Sequence, residues 1–282
     1  MRKRIRGAIV TLAYTAALLL AVSAANVSME AAVADGVSVP IIMYHSVLRD
    51  ESRAGKYIIT EKALERDLAY LKNSGYNTVF VRDLAAYVYD GVSLPSNPIV
   101  LTFDDGHYNN LTYVLPLLEK YDMVACVSIV GAYSQRGEAE EVHSPGFSYC
   151  TLDEVSELAA SGRVEIVNHS FDMHSTDGAR KGAKQRAGES EAQYREALEA
   201  DALRNQELLR LRCAVTPTCY AYPFGLYTRL SEEILRDAGF TATLTCREKL
   251  NRVSGPDSLY ALGRYNRDGS LSTEEFMRRV GI

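Results

Sequence analysis

Asp104 and Asp105 are adjacent carboxylates that close the apolar run Ile99-Val-Leu-Thr-Phe103. Two like charges at the end of a buried strand repel each other and lose hydration, a double cost that a bound cation removes. Taken alone, the pair fits equally a helix N-cap with a spare surface acid. A second group bears on that choice. Asn168-His169-Ser170-Phe171-Asp172-Met173-His174 follows another apolar run, Val164 to Val167. Histidines five apart do not share a helix face at about 100° per residue. On a loop leaving a strand, however, both imidazoles can converge on one ion. One carboxylate and two imidazoles leave coordination positions open, as in catalytic zinc sites, and the other aspartate is then free to act as a general base. The third group is Tyr220-Ala-Tyr222-Pro223-Phe224-Gly225. Its Pro and Gly suit a plain strand stop and turn, and such a turn can also present backbone N–H groups to a developing oxyanion.

These groups need strands to hold them, and the chain supplies strands in alternation with helices. Apolar runs predict strands at Val39 to Tyr44, Thr78 to Val81, Ile99 to Phe103, Val124 to Val130, Val164 to Val167, Thr218 to Tyr222, Phe240 to Leu244 and Leu259 to Leu262. Helical spacing is present at Thr60 to Asn73 (capped by Thr60), Asp83 to Tyr89, Leu111 to Lys120, Leu152 to Ala160, Glu189 to Leu211, Ser231 to Ala238 and Thr273 to Val280. Between them, Gly131, Gly137, Pro145 and Gly146 read as a loop. This order implies parallel strands joined by helical crossovers, with apolar strands buried on both faces. The expected fold is α/β, an irregular (β/α) barrel of about seven parallel strands in a single domain over residues 40–282. No Gly-rich dinucleotide fingerprint follows the first strand. In a barrel, Met43-Tyr44-His45 ends the first strand on the same face as the other groups.

Met1 to Arg6 holds four positive charges, an apolar stretch runs to about Val22, and Val22-Ser-Ala24 offers small residues. That is the order of a secretory signal peptide over 1–24, with an uncleaved anchor as the rival, followed by a polar linker over 25–39. The expected location is secreted or cell-surface. The chain carries 31 basic and 36 acidic residues, a formal net charge of -5, and loses four more positive charges with the leader. An acidic chain argues against nucleic acid as partner, and no second apolar run is long enough to span a membrane. The five cysteines lack zinc-ribbon spacing; Cys213 and Cys219 are a candidate disulfide pair. Nothing in the sequence sets the oligomeric state.

The segment Thr102-Phe-Asp-Asp-Gly106, His169-Ser170 with His174 after it, and the turn Pro223-Phe-Gly225, in this order, resemble the polysaccharide deacetylases of carbohydrate esterase family 4, the NodB-homology domain. The likeness spans roughly residues 97–265. It implies an irregular (β/α) barrel, a divalent metal (usually zinc) and N-deacetylation of a polysaccharide. Carried over by motif, Asp104 is the general base, Asp105, His169 and His174 are the metal ligands, and the Phe224 amide, with Tyr222 and Pro223 in the same turn, meets the substrate carbonyl or oxyanion. Four features depart from the pattern. The histidine gap is five where many members have four, which resembles the branch acting on poly-N-acetylglucosamine. The family's third-motif Arg is missing near Tyr220, with Arg264 as the candidate replacement. The chain has no Trp for an aromatic wall. No late Leu-x-His supplies the acid, so His45 is the candidate for protonating the leaving amine or for supporting the site. His107 reads as a rim or substrate contact and His143 as a solvated loop residue. The expected function is removal of N-acetyl groups from peptidoglycan or an N-acetylglucosamine polymer. A carbohydrate-binding protein that keeps the barrel without turnover, and hydrolysis of a different acyl group, stay open beside it.

Overall fold

Six short apolar runs become parallel strands, the first five joined to the next by helices that return the chain across the outside, and a two-residue strand near the C-terminus completes the sheet. The computed structural model describes residues 36–282. The strands are β1 (Ile41–Tyr44), β2 (Pro98–Phe103), β3 (Ala125–Ile129), β4 (Val164–Asn168), β5 (Cys219–Ala221), β6 (Ala242–Leu244) and β7 (Tyr265–Asn266). Their order is β6-β5-β4-β3-β2-β1-β7, parallel throughout, with Asn77–Thr78 as a short extra strand on β2. The curl closes through residues 262–266: Leu262 bridges to Leu244 of β6, while Tyr265 pairs with Ile42 of β1. The expected irregular (β/α) barrel in one domain is the fold observed.

Among the described residues eight α-helices surround the strands: α1 (Glu61–Asn73), α2 (Val81–Asp90), α3 (Leu115–Tyr121), α4 (Gly131–Gly137), α5 (Leu152–Ala160), α6 (Glu191–Cys213), α7 (Arg229–Asp237) and α8 (Thr273–Val280). Thr60, Thr151, Ser190, Thr228 and Ser272 cap their helices by accepting a hydrogen bond from the third helical amide. Alternation along the strands sorts the core. Ile42, Leu101, Phe103, Val127, Ile129 and Ile166 pack outward against helices, while Ile41, Val100, Cys126, Val167, Cys219 and Ala221 share a separate inner cluster. Continuing the inner set in steps of two reaches Met43 and His45, Thr102 and Asp104, Ser128, and His169. Register levels those ends: Tyr44 opposes Phe103, Ile129 opposes Asn168, and Asn168 opposes Tyr220.

Some expectations change. The linker expected over 25–39 is too long, because Val37–Val39 pairs antiparallel with Asn251–Val253 and belongs to the domain. The signal expected over 1–24, and the rest of that linker to residue 35, lie outside the described residues. Leu259 to Leu262 is not a strand: a 3-10 turn occupies Pro256–Leu259, Ala261 takes φ 53°, and the closing strand is Tyr265–Asn266. The helix expected from Leu111 opens with a π turn over Asn110–Val114, since Pro116 has no N–H for the ladder. The Gly131–Gly137 segment, expected as loop, is helical. All five cysteines are free, and Cys213 donates to the Leu152 carbonyl at 3.2 Å instead of pairing with Cys219. Among the described residues no helix is long and apolar enough to cross a membrane.

Candidate metal centre and active-site cavity

The adjacent aspartates have opposite surroundings. Asp104, 2% exposed, follows β2 and points into the barrel. Arg264 grips it bidentately, Nη1 to Oδ1 at 2.7 Å and Nη2 to Oδ2 at 2.8 Å, and the Ser128 hydroxyl donates to Oδ1 at 2.9 Å. Arg264 is itself fully buried, and its Nε donates to the Thr245 carbonyl at 2.9 Å. Burial pushes the Asp104 carboxyl up, but the Arg264 guanidinium, aided by His169, outweighs it and holds the group well below the usual carboxylate range. Asp104 is therefore ionised and oriented.

Asp105 turns the other way because its backbone takes φ 73°. Its Oδ1 is buried and has no hydrogen-bond partner. His174 Nε2 lies 3.0 Å from that oxygen and His169 Nε2 lies 3.6 Å from it. The tautomers follow from the other ring nitrogens. His169 Nδ1 lies 2.7 Å from the Ala221 carbonyl, which can only accept, so Nδ1 carries the proton. The Tyr133 hydroxyl donates to the His174 carbonyl at 3.0 Å and so accepts from His174 Nδ1 at 3.1 Å. In the neutral rings, the form in which a histidine ligates, both Nε2 lone pairs then face the Asp105 carboxylate oxygen. Three such atoms, all within 4.8 Å of one another, suit ligands about 2.0 Å from one ion and hence about 3.3 Å apart. Oriented imidazoles with their second nitrogen bonded are the usual support of metal ligands. The residues fit a divalent cation with nitrogen and oxygen preference.

The histidine loop is held from α6. Asp201 accepts the Phe171 and Asp172 amides, one on each oxygen, at 2.9 Å. Asn205 donates to the Ile129 carbonyl at 2.9 Å and to Asn168 Oδ1 at 3.0 Å. Gly131 is required beside it, because a Cβ there would stand 2.5 Å from Asn205 Oδ1 and 2.8 Å from the Phe171 ring. That close approach sets Tyr133, two residues on, against His174.

A cavity of about 700 Å³ opens over these groups, lined among others by His45, Asp104, Asp105, His107, His169, His174 and Phe224. His45 follows β1 as Asp104 follows β2. Its Nδ1 is buried without a partner, and burial pushes the imidazole below its usual value against the pull of Asp104 and Asp105. Phe224 sits at φ 58° in the Pro223–Gly225 turn, 42% exposed, with its ring 4.4 Å from that of His174. Tyr222 and Pro223 differ from expectation. The Tyr222 side chain points to the opposite face of the strand end and is buried against Tyr227 in a third core cluster, and Pro223 is buried within the turn. Neither lines the cavity; they fix the turn that Phe224 occupies. His107 Nε2 lies 3.6 Å from Asp105 Oδ2, and its ring stacks on Tyr149. His143 is not solvated but bonded to Glu154 at 2.9 Å and packed on Tyr108.

Sequence reasoning missed Ser128, Tyr133 and Asp201. Ser128 was legible from alternation in β3. Tyr133 was hidden by reading its helix as loop, and Asp201 is one of many acids on a charged helix.

Comparison with known proteins matches the polysaccharide deacetylase family to residues 91–243, just over half of the chain. The poly-beta-1,6-N-acetyl-D-glucosamine N-deacetylase of Escherichia coli K12 is 27% identical over 245 residues, covering 77% of this chain and 35% of that protein. The chain therefore spans about a third of that relative's length. The enzyme of the same name from Staphylococcus aureus MRSA252 is 21% identical, with 68% of this chain and 62% of that one covered. Among solved structures, IcaB from Ammonifex degensii superposes with a TM-score of 0.69 at 24% identity, over 88% of this chain and 97% of that one. A de-N-acetylase from Aggregatibacter actinomycetemcomitans gives 0.71 at 22% identity, over 86% and 100%. These structural likenesses concern the fold. The match of the family over the segment that carries the aspartates, the histidines and the Phe224 turn means that the chain belongs to the polysaccharide deacetylase family.

Proposed function

We propose that this chain is an exported, metal-dependent hydrolase that removes N-acetyl groups from a polysaccharide of N-acetylglucosamine, peptidoglycan included. The observation that carries this reading is the division between the two aspartates. Asp104 accepts three hydrogen bonds from Arg264 and Ser128 and keeps a lone pair on Oδ2, whereas Asp105 Oδ1 has no hydrogen-bond partner and faces the Nε2 atoms of two histidines. Asp105, His169 and His174 would hold the metal, with Zn²⁺ the ion that suits this donor set. When bound, it supplies Lewis-acid polarisation of the acetamide carbonyl and makes water acidic enough to be deprotonated near neutral pH. Asp104, ionised and aimed by Arg264, takes that proton. The Phe224 amide, in its left-handed turn, meets the carbonyl oxygen as negative charge develops. His45, held neutral by its burial, accepts that proton from Asp104 and delivers it to the amine as the C–N bond breaks and acetate leaves. Its buried, unpartnered Nδ1 favours a proton-transfer role over a structural one. Export rests on the leader-like residues 1–24. A binding protein without turnover draws its case from the missing third-motif Arg and the missing late Leu-x-His; the Arg264 grip on Asp104 answers the first of these.

The test is acetate release from an N-acetylglucosamine hexamer, poly-N-acetylglucosamine and peptidoglycan by the zinc-loaded chain. Release that disappears in Asp104→Asn is the expected result. Glycan binding with no acyl group released under any divalent metal would make the chain a binding protein.

A further inference from the structure

The chain is acidic, with a formal net charge of -5, yet the mouth of the cavity is cationic. Arg53, Lys56 and Arg279 line it against a single rim carboxylate, Glu248. Arg279 is neutralised by Glu248 at 2.7 Å, and Asp104 deeper in is neutralised by Arg264. Arg53 and Lys56 are left over: both are exposed, and among the described residues neither has a carboxylate within ion-pair distance. Between them and the reacting centre stand exposed aromatic faces. Tyr57 is 49% exposed with its ring 4.8 Å from that of His45, and Phe147, also in the lining, is 59% exposed. Lys56 Nζ lies 5.0 Å from the Tyr57 ring centre. The Tyr57 ring thus lies beside His45 and under the Lys56 ammonium, which no carboxylate neutralises at ion-pair distance among the described residues.

This wall is also built in place. Arg53 Nη1 donates to the Gly146 carbonyl at 2.8 Å, tying the two loops together. Asn266 Nδ2 donates to the Lys56 carbonyl at 2.8 Å, and the Gly269 amide to the Gly55 carbonyl at 2.9 Å. Its ordering cost is met before any ligand arrives. A neutral homopolymer offers these cations only hydroxyl and amide oxygens, which accept their hydrogen bonds but leave their charge uncompensated. The same cations repel the ammonium groups that deacetylation leaves on a chain.

We infer that the subsite beside the reacting sugar takes a sugar bearing an anionic substituent, a carboxylate or a phosphate ester, paired with Lys56 and Arg53 and lying against the exposed Tyr57 and Phe147 side chains. The substrate is then an anionic N-acetylated glycan. This deepens, and rests on, the deacetylase reading.

Three probes test it: a neutral N-acetylglucosamine hexamer, the same hexamer carrying 6-O-carboxymethyl groups, and the same hexamer carrying 6-phosphates. Binding to the metal-free chain is measured by calorimetry, and KM by acetate release from the zinc-loaded chain. At low salt at least one anionic hexamer should bind about fivefold tighter than the neutral one, since each exposed charge pair is worth a factor of a few. The preferred probe identifies the substituent. The preference should collapse in about 0.5 M NaCl. It should fall towards one in the Lys56→Gln, Arg53→Gln double variant and survive in Lys56→Arg. Equal binding of all three hexamers, or a preference that outlasts the double substitution, overturns the inference. Absence of acetate from every hexamer sinks the deacetylase reading instead, and the binding ratios still decide the charge preference.

Discussion

Replacing Arg264 by Met removes the counterion from a carboxylate that has nowhere else to turn. Arg264 is fully buried and Asp104 is 2% exposed where it lines the cavity, so water reaches only its cavity side and the two lost hydrogen bonds are largely unreplaced. Only the Ser128 hydroxyl remains on Asp104, and the Thr245 carbonyl loses its Arg264 Nε donor. Breaking a buried pair by removing one partner costs about 3–5 kcal/mol, whereas replacing both partners with uncharged groups is often close to neutral. Arg264→Met in the metal-free chain should therefore lose about 3–5 kcal/mol of unfolding free energy. The double variant Arg264→Met, Asp104→Asn should regain most of that. In the zinc-loaded enzyme the single variant should also lose at least about a hundredfold in kcat/KM, the lower end of what a positioned base supplies. With Arg264 gone, burial is the largest influence left on Asp104 and drives it towards the protonated form, which cannot accept a proton. Urea unfolding gives the first quantity and acetate release the second. A single variant that loses less than about 1 kcal/mol, or a double variant no more stable than the single, would refute the claim that Arg264 serves as the counterion of Asp104.

Other outcomes follow from neighbouring contacts. Tyr133→Phe removes the acceptor for His174 Nδ1 and should weaken zinc binding by roughly tenfold or more; a chelator competition giving unchanged affinity contradicts the tautomer assignment. Asp201→Ala frees the Phe171 and Asp172 amides between the two histidines. Zinc affinity should again fall roughly tenfold, and an unaltered dissociation constant would show that the loop holds its shape without Asp201. Glu165 is buried inside the barrel below the site, and burial raises its carboxyl above the usual range. A raised carboxyl contributes stability that is fully present below the ordinary carboxylate range and is lost as pH rises through the raised value. Glu165→Gln should therefore melt above the parent at pH about 8 and lose that advantage near pH about 4; a melting difference independent of pH speaks against a shifted Glu165.

The barrel was legible because its strands are short, apolar and regularly followed by helical spacing, a pattern that few folds share. The ends of those strands were legible too, since Asp104, Asp105 and His169 are polar residues abruptly following apolar runs. The closing strand was not. Tyr265–Asn266 has two residues and neither pattern nor length, and its place is set by tertiary bonds such as the Arg267 amide to the Met43 carbonyl at 2.9 Å. Arg264 could be nominated as a replacement, but only the fold brings it to Asp104 from 160 residues away. Tyr222 was misplaced for a local reason. The alternation that carries Ala221 inward sends Tyr222 to the outer cluster, and only the positive φ of Phe224 returns the turn to the cavity.

The central claim is that Asp105, His169 and His174 hold one metal while Asp104 works beside it without ligating. Zinc titration into the metal-free chain, with bound zinc and acetate release followed together, tests this directly in the parent, Asp104→Asn and Asp105→Asn. The parent should reach full rate at one equivalent, Asp104→Asn should bind that equivalent and release no acetate, and Asp105→Asn should lose tight binding. Turnover that persists in excess chelator, or Asp104→Asn losing its metal as Asp105→Asn does, would contradict the account.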